Sequence, residues 1–224
     1  MYVIIDWHTI GNPLTGVPHR PMYLTTREET FYFWHRVSQR YAGNPAVPFF
    51  ELFNEPTSRE GTFARLDWLG YNADIEELIY MIRKIDDTKI ALVGGLRWAY
   101  DLSDVIEHPI QFPGVAYVTH PYPQKRPAPW IDHWERDWGH VADHYPVFAT
   151  EFGFMSADLP GAHRPVIGDE SFGVALTDYF ASKGISWTVW CFDPEWPPQL
   201  IQNWDFVPTP QGEFFKEVML RNQK

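Results

Sequence analysis

The chain is poor in cysteine, in basic residues and in long apolar runs, and each shortage excludes something. A single cysteine, Cys191, rules out an internal disulfide and leaves the redox compartment open. Lys plus Arg number 18 against 29 Asp plus Glu, a net charge of −11. A basic face for nucleic acid or for an anionic membrane is therefore not expected. No apolar run approaches the ~20 residues that span a bilayer. The opening MYVIIDWH has no positive n-region, so no signal peptide is read there.

Aromatics, by contrast, are abundant: 11 Trp, 11 Tyr and 16 Phe in 224 residues. Large rings pack cores, and they also make flat platforms for ligands such as sugars. Hydrophobic content of 45% with 21% charged residues fits a globular chain with a sizeable core.

Short apolar runs alternate with amphipathic stretches. Strands are expected at Tyr2 to Ile5, Val47 to Phe53, Ile90 to Val93, Val115 to Thr119, Val147 to Thr150 and Ser186 to Trp190. Thr26 and Glu29 form an S/T-x-x-E capping box, and Phe31, Trp34, Val37 and Tyr41 follow at helical spacing. Ile75, Leu78, Ile79, Ile82 and Ile85 mark the clearest helical face, and further helices are expected around 131–141, 172–180 and 211–220. Strands without polar alternation, interleaved with helices, imply a parallel sheet buried on both faces. No Gly-rich loop follows the first strand, which favours a (β/α)8 barrel over a dinucleotide fold.

Polar and aromatic residues recur just after the strands: Asp6, Trp7 and His8; Asn54 and Glu55; Arg97, Trp98 and Tyr100; His120 and Tyr122; Glu151; and Trp190, Asp193 and Glu195. In a barrel that end is the catalytic face. Glu55 and Glu151 are a candidate carboxylate pair for glycoside hydrolysis. His140 and His144 stand four apart without the glutamate of a zinc motif and read as a helix end. Cys191 reads as a small core residue. Asp193 and Glu195 read as a solvated loop, and Trp98, Tyr100, Trp130 and Trp196 as packing or as outer sugar platforms.

The stretches VIIDWH, FNEP, THPY, TEFG and the last Trp of WTVW, in that order, resemble glycoside hydrolase family 5, within the clan of (β/α)8 retaining glycosidases. The resemblance implies Glu55 as acid/base, Glu151 as nucleophile and Asn54 on the 2-hydroxyl of the −1 sugar. It implies His8 and His120 on the same sugar or on the carboxylates, Tyr122 donating to Glu151, and Trp190 beneath the −1 ring. Trp98 is added as a substrate-binding candidate. The expected activity is a retaining endo-β-1,4-glucanase, with β-mannanase, exo-β-glucanase or a non-catalytic sugar-binding barrel as alternatives. A metal-dependent hydrolase is disfavoured, and neither metal nor cofactor is expected.

The chain departs from that family at its start. The D-x-H strand is the family's third, yet here it opens the sequence, so six of eight strand–helix units are visible. Residues 1–224 are expected to be one catalytic domain, truncated at the N-terminus and lacking the family's second-strand arginine. Open sheet edges would invite self-association. The expected partner is a β-linked oligo- or polysaccharide, and a polymeric substrate favours a secreted or periplasmic setting over the cytoplasm.

Overall fold

Strand and helix alternate as the apolar pattern requires, but the strands are shorter than expected. The computed structural model describes residues 1–58 and 65–221. Its elements are β1 (Ile4–Asp6), β2 (Ile10–Asn12), β3 (Val17–Pro18), α1 (Arg27–Tyr41), β4 (Phe49–Glu51), β5 (Glu55–Pro56), α2 (Trp68–Arg83), β6 (Ile90–Gly94) and a four-residue turn α3 (Leu96–Ala99). There follow β7 (Val115–Val118), α4 (Ile131–Asp137), β8 (Val147–Ala149), α5 (Glu170–Lys183), β9 (Ser186–Trp187) and α6 (Pro210–Arg221). The fold class is α/β of the (β/α)8 type, with six strand–helix units among the described residues. No helix among the described residues is long and apolar enough to cross a membrane.

The chain divides into two compact units. The first, Met1–Thr119 with His144–Val147, is built on a parallel ladder. β1 pairs with β4, β4 with β6, and β6 with β7. Phe50, Leu52, Leu92, Val93 and Val118 are buried along it, which is why these strands lack polar alternation. α1 starts as its sequence dictates. The Thr26 side chain accepts from the Glu29 amide, and the Glu29 carboxylate accepts from the Thr26 amide, so two orphan donors are satisfied at once. On the buried face of α1, Trp34 donates its indole N–H to the Leu52 carbonyl at 2.9 Å.

Two expectations need correction here. The strand read as Val47 to Phe53 is regular only over Phe49–Glu51. Glu55 does not end that strand. It belongs to a second small sheet, in which β2 pairs with β3 on one side and with β5 on the other. Strands of two and three residues carry no periodicity, so the sequence could not announce them. The sequence carried no expectation for α3, which is left-handed: Arg97, Trp98 and Ala99 have φ of 57°, 59° and 50°, and none is a glycine.

The second unit comprises His120–Asp143 and the chain from Phe148 onward. Its parallel pair is short, with Phe148 opposite Ser186 and Ala149 opposite Trp187. Aromatic packing supplies the rest. Trp134, Trp138, Phe152, Phe172, Phe180 and Phe215 are all fully buried. Trp130, Trp134 and Trp138 recur every four residues along α4 and its ends, so they share one face. Phe172, Tyr179 and Phe180 of α5 meet that face edge-on or tilted.

Candidate active site

In the first unit the backbone brings the D-x-H and N-E segments side by side. The Trp7 amide donates to the Glu51 carbonyl at 3.1 Å, the Asn54 amide to Trp7 at 3.2 Å and the Glu55 amide to Thr9 at 3.1 Å. This ladder continues past the end of β4 and fixes Glu55 by main-chain bonds. Glu55 is 8% exposed and Asn54 2%. The side-chain nitrogen of Asn54 is buried with no hydrogen-bond partner among the described residues. An unmet buried donor costs about 1–3 kcal/mol, so it is a position where a ligand's acceptor would be welcome.

His8 is oriented by its neighbour. Its Nδ1 lies 2.7 Å from Asp6 Oδ2. Trp7 is pinned on both sides of its ring system, with the indole N–H donating to Thr30 Oγ1 at 3.0 Å and the ring stacked on Phe33 at 4.2 Å. At the end of β6, Gly94 lets the Phe53–Pro56 segment come close, since a Cβ there would sit 3.1 Å from Pro56 Cδ and 3.3 Å from the Phe53 carbonyl oxygen. Trp98 projects from the left-handed turn and meets His19 edge-on at 5.9 Å. His19 had no signal in the sequence; it reaches Trp98 only through the small sheet. Tyr100 is buried and its carbonyl accepts from Thr119 Oγ1.

The second unit builds around Glu151. The Tyr122 hydroxyl donates to Glu151 Oε1 at 2.7 Å, and His120 Nδ1 lies 3.9 Å from Oε2. His120 is fully buried, with its Nε2 3.0 Å from Thr150 Oγ1. His120, Tyr122 and Glu151 therefore lie together.

Trp190 is held by its backbone. Its amide donates to the Phe152 carbonyl at 2.8 Å, and its carbonyl accepts from Gln211 Nε2 at 3.1 Å. Gln211 is a buried side chain of α6 that also donates to the Pro198 carbonyl and accepts from the Phe154 amide. Gly153 makes this clamp possible, because a Cβ there would fall 2.6 Å from Gln211 Oε1 and 2.8 Å from the Trp190 carbonyl oxygen. An exposed-looking Gln at a helix start gave no hint of this role in the sequence.

Other candidates resolve into loop and packing roles. Trp196 packs edge-on to Trp190 at 6.5 Å. Asp193 accepts from the Glu195 and Trp196 amides at 2.7 and 3.2 Å, an Asx-type turn. His140 Nδ1 lies 2.9 Å from the Glu135 carbonyl oxygen. Cys191 is not the core strand residue the sequence suggested. The strand ends at Trp187, and Cys191 sits half-buried in the following loop with Sγ 3.1 Å from the Trp196 carbonyl oxygen. Burial, with Asp193 and Glu151 nearby, pushes its thiol up to about 12.

Residues 1–195 match the family model described as cellulase, glycosyl hydrolase family 5. The chain belongs to this family. A β-glucanase from Saccharophagus degradans is 46% identical, with a TM-score of 0.96 for its native form, over 100% of this chain and 68% of its own. The same β-glucanase in complex with cellotetraose superposes with a TM-score of 0.97. Among curated relatives, an endoglucanase of Clostridium saccharobutylicum is 28% identical over 190 residues, covering 85% of this chain. The chain spans 38% of that endoglucanase and 48% of a Thermoanaerobacterium cellulase, less than half the length of either.

Proposed function

We propose that the chain is a retaining, endo-acting β-1,4-glucanase that works by double displacement. Residues 1–224 act in this reading as one catalytic domain. Glu151 attacks the anomeric carbon while Glu55 protonates the departing oxygen. Glu55 then takes a proton from water, and the water's oxygen displaces Glu151 with net retention. The Tyr122 hydrogen bond supports the reading most directly. It engages Oε1 of Glu151 at 2.7 Å and aims the carboxylate by that oxygen, as a nucleophile requires.

The other residues take positioning roles. The unmet amide of Asn54 suits the acceptor oxygen of a sugar hydroxyl. His8, oriented by Asp6, and His120 contact the same sugar or the carboxylates. Trp190 supplies a platform beneath the ring and Trp98 a second one. The β-glucanase relative solved with cellotetraose supports a β-linked oligosaccharide as the ligand class.

The test is release of aryl alcohol from an aryl β-cellobioside by the parent chain, Glu55→Gln and Glu151→Gln. Turnover in the parent and loss in both variants is expected. Undiminished turnover in either variant would overturn the assignment of that residue. Endo action is checked separately: the viscosity of a soluble cellulose derivative should fall faster than reducing ends accumulate.

A further inference from the structure

A cavity of about 220 Å³ lies within the second unit, between segments 123–130 and 167–172. None of the residues discussed so far as catalytic lines it. Its wall begins at Pro123, one peptide bond after Tyr122, whose hydroxyl holds Glu151. The strap that closes it is well fixed. The Gln124 amide donates to Pro165 and its side-chain nitrogen to the Ile167 carbonyl, both at 2.9 Å.

Trp130 makes the aromatic side. Its ring is immobilised against Trp134, parallel at 5.9 Å, and edge-on to Phe172 at 5.5 Å. Its indole nitrogen is buried and has no hydrogen-bond partner among the described residues, although buried Trp N–H groups usually find one. The remaining polar lining is mixed. Arg126 offers a guanidinium, anchored on Asp137 at 2.5 Å. Asp169 adds a carboxylate whose Oδ1 accepts from the Ser171 amide and hydroxyl at the start of α5, which leaves Oδ2 and the hydroxyl's lone pairs as acceptors.

The size and the lining narrow the occupant. Drug-sized ligands fill pockets of roughly 300–1,000 Å³, so this cavity admits about one ring. A carboxylate in the wall disfavours an anion, and a guanidinium disfavours a cation. Donors and acceptors side by side, over one indole, suit a neutral ring that carries several hydroxyls. We propose that this pocket binds a single neutral pyranose, as an auxiliary sugar site of the second unit. That the sugar is a glucose unit of a β-glucan rests on the proposed function.

The test reads the indole N–H resonances of the whole chain by 1H–15N NMR during titration with cellobiose. Trp130→Phe identifies the Trp130 signal by its disappearance. Saturable displacement of that signal is expected. Asp169→Asn, which keeps a capping side chain at the start of α5, should weaken binding about tenfold. Ser171→Phe, at an exposed position, should fill the cavity and abolish the shift, with the other indole signals unmoved in the absence of sugar. Displacement of other indoles by cellobiose with the Trp130 signal fixed would overturn the pocket and leave the proposed function standing. A Trp130 shift with glucuronate or glucosamine but not with cellobiose would overturn the neutral ligand. A Trp130 shift with cellobiose, in a chain that never turns over an aryl β-cellobioside, would uphold the pocket and sink the proposed function.

Discussion

The two units reach order by different means. The first stacks four parallel strands with aliphatic and aromatic residues between them, and main-chain hydrogen bonds carry its candidate acid, Glu55. The second has a short parallel pair among its described residues. Aromatic rings and side-chain bonds do the organising, and Glu151 is held by Tyr122 while Gln211 grips the backbone of Trp190. Precision at Glu55 thus comes from the ladder, and precision around Glu151 and Trp190 comes from individual side chains. A point substitution should therefore disturb the second unit's geometry more readily.

The largest effect is expected at the first unit's candidate acid. Removing the acid in Glu55→Gln should lower turnover of substrates with poor leaving groups by about 10²–10⁴-fold. Substrates whose leaving group needs no proton should lose less. Equal losses on both substrates would place the contribution of Glu55 elsewhere.

Stability comes next. Phe215→Ala, in the aromatic cluster, should cost about 3–5 kcal/mol, and Leu92→Ala, in the ladder, about 2–5 kcal/mol. Denaturant melts read both. Gln211→Leu should add a loss that no ladder residue can match, because the Phe154 amide and the Trp190 and Pro198 carbonyls lose a buried partner together. Unchanged melts for Gln211→Leu would erase the contrast between the units.

Tyr122→Phe isolates one side-chain bond. A hydrogen bond to a charged group is worth about 1.5–3 kcal/mol, so kcat should drop roughly tenfold to a hundredfold with the melt little changed. A pure rise in KM would show that Tyr122 binds substrate and does not aim Glu151.

A smaller effect belongs to the first unit and to acid pH. Burial pushes the Asp86 carboxyl up, but hydrogen bonds from Thr88, from the Gly43 amide and from Lys89 outweigh it and hold Asp86 well below the usual carboxylate range. A lowered folded-state value means the unfolded chain takes up the proton first. The stabilisation is therefore complete above the unfolded value of about 3.9 and fades as pH falls below it. The stability of Asp86→Asn, followed from pH 6 to pH 2, should decline less steeply than that of the parent. At the small end, Cys191, with its thiol raised to about 12, should react slowly with iodoacetamide at pH 8, and rapid alkylation would contradict its half-buried setting.

Much of the first unit was legible in the sequence. The Thr26 and Glu29 capping box starts α1, and the Ile75 to Ile82 face is the buried face of α2. Continuous apolar runs gave β6 and β7. The second unit was harder. Its sixth strand is regular only over Ser186–Trp187, because beyond it Thr188 and Trp190 bond to Ala149 and Phe152 in an irregular path. The candidate site residues were legible because strand ends concentrate polar groups. Their supports were not. His19, Gln211 and Thr150 act through contacts far apart in sequence, and a left-handed Arg97–Trp98–Ala99 turn violates the propensity of every residue in it.

The measurement that bears most directly on the central claim is the configuration of the first product. Hydrolysis of a β-linked cello-oligosaccharide, followed by NMR within the mutarotation time, should show the β-anomer rising first, as double displacement through Glu151 requires. The α-anomer rising first would mean direct attack by water and would contradict the role given to Glu151.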